Sequence, residues 1–337
     1  MAVTIKDVAA LAGVSPSTVS RTCNNNPSIS KETREKVKDA MEKLGYEPPT
    51  SSISSQSVKI IGIILPPSTR ETYENSFFLE VIRGASQVCN SMQYISTIIT
   101  GENYDELLMA IRNMTDNDVI SGFIVLYSVI DDPVVEYLHQ EGLKYVLIGK
   151  ASKYIEQTVY VDNDNILAGK EATEYLIKLG HKNIAYLGSK SNMVFSAERK
   201  QGYMISLISH GLDYDKNNCI EVDDIEKGED VVKSLLQRNN APTAMVVSDD
   251  IFAAMVERVC VEMNMSVPKD LSIISFNNSL LARLSSSQLT SIEINSFQLG
   301  TESATQIINH IETPNLDATK IIIPHKLAER NSCAKHD

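Results

Sequence analysis

Apolar positions in residues 5–44 recur with helical spacing in three short stretches, and the residues between them are ones that start and stop helices. Thr4 precedes IKDVAALAG, with Asp7 placed to favour the positive end of a helix and Gly13 to end it. Ser15 followed by Pro16 opens a second helix through STVSRTC, because proline at the first helical position gives up no hydrogen bond. Ser30 with Glu32 opens a third, KETREKVKDAMEKL, in which Val37, Met41 and Leu44 form one stripe and Gly45 is the stop. Helices this short share a core, predicted from Val8, Ala9, Leu11, Val14, Val19, Val37, Met41 and Leu44.

The pattern breaks at Glu47 to Ser57, EPPTSSISSQS, where Pro and Ser dominate and Ile53 is the one apolar residue, so this stretch reads as a linker. Beyond it, apolar β-branched runs alternate with helical periodicity, from KIIGIIL and FFLEVIRGASQVC to YVLIG, and the alternation starts again with TVYVDN and ILAGKEATEYLIKLG. Near-continuous apolar strands joined by helices are the mark of parallel sheets covered on both faces. Two successive sets predict two α/β lobes, each a doubly wound parallel sheet; LTSIEI, FQLGTESATQIINHI and TKIIIP add strands and a helix that cross between them.

The 337 residues carry a net charge of −12, but unevenly. Residues 1–50 hold seven basic and six acidic side chains, so the acidity belongs to the larger part, which argues against indiscriminate nucleic-acid binding there. Five scattered cysteines without zinc spacing point to a reducing compartment, and no cofactor or metal is expected. No basic segment with an apolar stretch opens the chain, and no apolar run approaches the ~20 residues that span a bilayer, so the expected location is the cytoplasm. The chain lacks G-x-G-x-x-G after its first strand, a P-loop and G-x-S-x-G, so no enzyme chemistry is expected.

A helix, a tight turn at Gly13 and a second helix form the helix-turn-helix arrangement, which sets the second helix in a DNA major groove. Small polar residues at Ser17, Thr18 and Ser20 permit close approach, and Arg21 can donate two hydrogen bonds to guanine. Spacing alone leaves a plain three-helix cap equally open. The stretch VTIKDVAALAGVSPSTVSRTCNNNPSISKETREKVKDAMEKLGYEP, however, closely resembles the headpiece of the LacI/GalR family of bacterial transcription repressors. The resemblance continues through SGFIVLYS, YVDNDNILAGKEATEYLIKLGHKNIAYLG, SAERKQGY, VVSDDIFAAMV and LTSIEINSFQLG. Within the family, SFFLEVIRG, Asp249-Asp250, Asn277-Asn278 and INSFQLG are most similar to maltose-operon repressors of Gram-positive bacteria.

This resemblance implies a homodimer, or a tetramer, on a pseudo-palindromic double-stranded DNA operator, with a periplasmic-binding-protein-like core that closes on a small effector. Carried over by motif, Ser15, Pro16, Ser17 and Arg21 face base edges, while Thr4, Thr18, Asn24 and Ser28 contact phosphates. It divides the chain into a headpiece at 1–49, a linker at 50–57, one lobe from 58–160 with 292–318, and another from 161–291 with 319–331. The linker departs from the family's P-N-x-x-A-R-x-L, leaving Ile53 as the one candidate minor-groove wedge.

Ligands bind at the carboxyl ends of parallel strands, where Tyr127, Asp162, Asp249 and Asn277 lie. Arg199 starts a following helix, and Phe77 and Phe78 offer an apolar wall. Carboxylate, amide and guanidinium groups beside aromatic rings suit a neutral sugar, and the resemblance to maltose-operon repressors implies maltose or a related α-glucoside. Asp162 and Asp249 also read as helix caps, and one Phe as core. Two other functions compete: a catabolite-control regulator with a phosphocarrier corepressor, for which Thr305 replaces the expected basic residue, and a sugar-binding transport receptor, which would carry no headpiece.

Overall fold

The computed structural model describes residues 3–23, 30–46, 59–67, 75–115, 120–189, 192–222, 224–313 and 315–336. The chain divides into two compact units, residues 1–57 and 58–337.

The first unit holds helices α1 (Ile5–Ala12), α2 (Pro16–Cys23) and α3 (Lys31–Leu44). Gly13 leaves α1 with φ +67°, a conformation without cost only for glycine, and this turns the chain into α2. Val8, Ala9, Val19, Val37 and Ala40 are the buried core, with Val14, Met41 and Leu44 packed partly buried against it. Leu11 does not belong to this core as expected: it is 52% exposed. Ile5, Val8, Ala9 and Ala12 already fill the inward arc of α1, and the helical phase carries position 11 past its edge.

The second unit is built on two six-stranded sheets. The first contains β1 (Ile60–Ile64), β2 (Ile95–Ile99), β3 (Gly122–Val125), β4 (Tyr145–Ile148), β5 (Val159–Asp162) and β11 (Lys320–Ile322), in the order β11-β5-β4-β3-β1-β2 and parallel throughout. Helices α4 (Ser76–Ser91), α5 (Tyr104–Thr115), α6 (Pro133–Gln140) and α12 (Ser296–Glu312) belong to this lobe. The second sheet contains β6 (Ile184–Ser189), β7 (Cys219–Val222), β8 (Ala244–Val247), β9 (Ser272–Phe276), β10 (Thr290–Glu293) and β12 (Lys326–Ala328), ordered β12-β10-β9-β8-β6-β7, with only β12 antiparallel. Its helices are α7 (Asn165–Lys178), α8 (Val194–Ser209), α9 (Ile225–Leu236), α10 (Asp250–Glu262) and α11 (Leu280–Leu284).

Strand residues divide between the two faces with period two. In β3, Ile124 joins the cluster of Val81, Leu299 and Ile307, while Phe123 and Val125 join that of Leu107, Ile111 and Leu138. In β8, Val246 faces the Tyr186–Tyr203 side and Met245 and Val247 the Val232–Val256 side.

Residues 161–162 and 319–322, assigned from sequence to the second lobe, lie in the first, and 292–293, assigned to the first, end β10 in the second. β5 runs to Asp162 before crossing, and β11 adds alongside it, Ile321 opposite Val161. An apolar run does not announce which of two neighbouring sheets it completes. The chain crosses between lobes three times, at 163–164, 294–295 and 323–325.

Each lobe contains one unusually close helix pair. A Cβ on Gly84 of α4 would lie 2.2 Å from the Phe297 carbonyl oxygen of α12, and one on Gly169 of α7 would lie 2.2 Å from the Arg199 carbonyl oxygen of α8.

Candidate functional site

In the headpiece, Ser15 caps α2: its Oγ accepts from the Thr18 backbone N–H at 3.2 Å and lies 2.9 Å from Thr18 Oγ1. Exposed Thr4 donates from its backbone N and its Oγ1 to Asp7 Oδ2, at 2.8 and 2.6 Å, and these bonds hold the Asp7 carboxyl below its ordinary range. Val19 and Thr22 turn into the core, and Pro16 at the start of α2 is exposed; the side chains of Ser17, Ser20 and Arg21 lie outside the described ones. Asn24, Ser28 and Ile53 lie outside the described residues.

In the second unit a cavity of about 560 Å³ lies at the carboxyl ends of the strands, between the lobes. Its lining includes all seven residues named from sequence: Phe77, Phe78, Tyr127, Asp162, Arg199, Asp249 and Asn277.

Arg199, 3% exposed, is held at each side of its guanidinium. Nε donates to Asn165 Oδ1 at 2.9 Å and one Nη to the Ser248 carbonyl at 2.6 Å, while the Phe195 and Phe276 rings lie 5.0 and 4.2 Å from the guanidinium carbon. Phe195 precedes Arg199 by four residues on α8, the spacing that brings side chains together on a helix. Burial lowers the Arg199 pKa to about 10, opposed by Tyr186, Asp162 and Asp249, so it stays charged at neutral pH.

Asp162 ends β5 and is not a cap; Asp164 caps α7 by accepting from the Leu167 N–H. Burial raises the Asp162 carboxyl to about 7, against the Asn163 N–H bond and the Arg199 charge, with Glu198 adding to the rise. Asp249 does cap its helix, accepting from the Phe252 N–H at 2.9 Å, and burial with the Asp250 charge beside it raises it to about 6. Capping and cleft lining are compatible, because one carboxylate has several lone pairs.

Tyr127 is 5% exposed, and its hydroxyl has no hydrogen-bond partner among the described residues. Burial and the Asp132 carboxylate hold its pKa well above 10. Phe77 and Phe78 meet edge to face at 5.2 Å, and Phe77 packs against the cores of both lobes, so the core reading also holds for it. Asn277 adopts φ +93°, with its N–H donating to the Ile292 carbonyl.

The sequence reading missed Asn163, Asn165, Ser128, Ser189, Met193 and Phe195, which also line the cavity. Asn163 and Asn165 stand in VDNDN beside Asp162, and Phe195 sits one helical turn before Arg199, so neighbourhood was the available signal. Of the Asp249-Asp250 pair the sequence reading named Asp249 for the cavity and gave Asp250 no role. Asp250, 1% exposed, accepts from Ser275 Oγ, Ser291 Oγ and the Ser279 N–H, tying α10 to the sheet rather than facing the cavity. Among the described residues no group of side chains is arranged to hold a metal, and no helix is long and apolar enough to cross a membrane.

Two family models match: bacterial regulatory proteins, lacI family, over residues 4–49, and a periplasmic binding protein-like domain over residues 173–333. The HTH-type transcriptional regulator MalR of Streptococcus pneumoniae is 36% identical over 338 residues, covering 98% of this chain and 100% of the relative. Among solved structures, the transcriptional regulator CelR in complex with cellobiose matches with a TM-score of 0.76 at 27% identity, over 98% of this chain and 99% of CelR. The probable maltose operon transcriptional repressor malR of Staphylococcus aureus matches with a TM-score of 0.76 at 28% identity, over 83% of this chain and 99% of that one. With a helix-turn-helix headpiece, a two-lobed core and likeness from end to end, the chain belongs to the lacI family of bacterial regulatory proteins.

Proposed function

We propose that this protein is a cytoplasmic repressor of carbohydrate-utilisation genes that releases or grips its operator according to a neutral α-glucoside, maltose first, held between the core lobes. The observation that carries the reading is Arg199. It is a buried cation in a cavity of ligand size, fixed by Asn165 and stacked on aromatic rings, with two carboxylates near it. A phosphorylated sugar would need more positive charge than one guanidinium facing Asp162 and Asp249. The lining also carries Phe77, Phe78 and Phe252, apolar faces suited to sugar rings. The likeness to a probable maltose operon repressor and to a cellobiose-binding regulator points to a disaccharide.

On this reading Ser15, Pro16, Ser17 and Arg21 read bases and Thr4 and Thr18 meet phosphates, in a homodimer that spans a pseudo-palindrome. Val261, Leu280 and Leu284 are exposed apolar side chains of the second lobe, of the kind a dimer contact would cover. The phosphocarrier-dependent alternative is disfavoured because α12 carries no Lys or Arg, and Thr305 Oγ1 is engaged with the Thr301 carbonyl at 2.8 Å.

Calorimetry of the full chain against a sugar panel, with gel retardation of upstream DNA in parallel, tests the proposal. Maltose should bind, and Arg199→Ala should weaken it at least thirtyfold, about 2 kcal/mol, the loss of one charged hydrogen-bonding partner. Tight binding of a purine or pentose rejects the effector reading, and failure to retard any upstream fragment rejects the repressor reading.

A further inference from the structure

The three crossings that join the lobes meet at one side chain. Asn163 stands in the first crossing and is 4% exposed. Its Nδ2 donates to the Ile294 carbonyl of the second crossing at 3.1 Å and to the Ile323 carbonyl of the third at 2.8 Å. Only a carboxamide on a short arm presents two N–H donors from one nitrogen, so the residue type matches the task. The Ile323 N–H donates back to the Asp162 carbonyl at 2.8 Å, closing a ring between first and third crossings.

The same residue stands at the end of a chain of bonds that begins in the cavity. Arg199 Nε donates to Asn165 Oδ1, Asn165 Nδ2 donates to Asp162 Oδ1 at 3.1 Å, and the Asn163 N–H donates to that same Asp162 oxygen at 2.8 Å. Every side chain on this path is buried, so each bond is strong and costly to leave unmade. We propose that Asn163 is a positioning residue that makes the three crossings turn as one hinge and passes the state of the Arg199 end of the cavity to that hinge. Hinges are a few residues at element ends that absorb backbone rotation. Three independent strands of chain would absorb it three ways, whereas one shared amide obliges them to move together. The effector half of this inference rests on the function proposed above; the hinge half does not.

The experiment uses the full chain and site-resolved hydrogen exchange at the Asn163 and Ile323 amides, with no sugar present. Asn163→Leu, of similar size but without donors, should speed exchange at both amides at least tenfold. Asn163→Ser, which keeps one donor, should fall between, and it carries the test if the leucine variant does not fold. Arg199→Ala should also speed exchange at Ile323, and in the Asn163→Ser background it should add little, because both changes cut one path. Additive effects would show a merely structural asparagine and overturn the coupling. Wild-type exchange in both Asn163 variants would overturn the hinge. Maltose affinity of Asn163→Ser, by calorimetry, should drop at least fivefold, and unchanged affinity would also overturn the coupling. A wild-type protein that binds no glucoside refutes the proposed effector instead, while the exchange measurements still decide the hinge.

Discussion

Asp162 shows how a ligand site is built at the expense of stability. Its carboxyl titrates near 3.8 when solvated and near 7 in the folded core, so folding favours its neutral form. Well below pH 3.8 both states are protonated and nothing is lost; as pH rises toward 7 the unfolded chain ionises first and the folded state loses ground, by up to about 4 kcal/mol. Asp162→Asn keeps an oxygen for the Asn163 and Asn165 donors while removing the charge. In urea titrations the variant should match the wild type at about pH 3 and exceed it by about 2–4 kcal/mol at pH 8, with weaker sugar binding. Equal stabilities at pH 8 would refute that penalty. The sequence placed this carboxylate in the cavity from its position at a strand end. It also named Asp249 for the cavity, but it did not reveal that Asp250 would tie α10 to the sheet, because that bond depends on phase and packing that only the folded structure fixes.

At the level of elements, both lobes depend on helices packed closer than side chains allow. A Cβ at Gly169 would meet the Arg199 carbonyl oxygen at 2.2 Å and its Cα at 2.8 Å, so the backbone of α8 would have to move at the arginine. Gly84 presents the same conflict in the other lobe, against Phe297. Gly84→Ala and Gly169→Ala should each cost about 1–3 kcal/mol in thermal denaturation. They should separate in calorimetry: Gly169→Ala weakens effector binding about tenfold, while Gly84→Ala leaves it within twofold. The alternation of strands and helices was legible because its period differs from element to element. These glycines were not, since a glycine inside a helical pattern shows a missing side chain and not what approaches it. The edge strand β11 was misassigned for a related reason: strand character is local, and the choice of sheet is not.

For the molecule as a whole, the division between headpiece and core was legible in the abrupt loss of apolar periodicity after Gly45. The core closes late along the chain. β11 and Ile323 complete the first lobe; β12 and the segment after it complete the second, where Ser332 Oγ accepts from the Thr290 N–H and donates to the Ile273 carbonyl, and the His336 N–H donates to the Leu179 carbonyl. A chain ending at Ala318 should therefore lose the cooperative core transition in scanning calorimetry together with sugar binding. A core that still melts in one transition would show that neither lobe needs these final residues.

A ribosome makes the chain in the opposite order to its dependence. Among the described residues the small core of the headpiece is complete by Tyr46, whereas both lobes wait for residues roughly 270 positions further on, tens of seconds of synthesis at ordinary rates. During that interval a nascent chain holds a finished DNA-reading unit with no sugar-sensing unit to govern it.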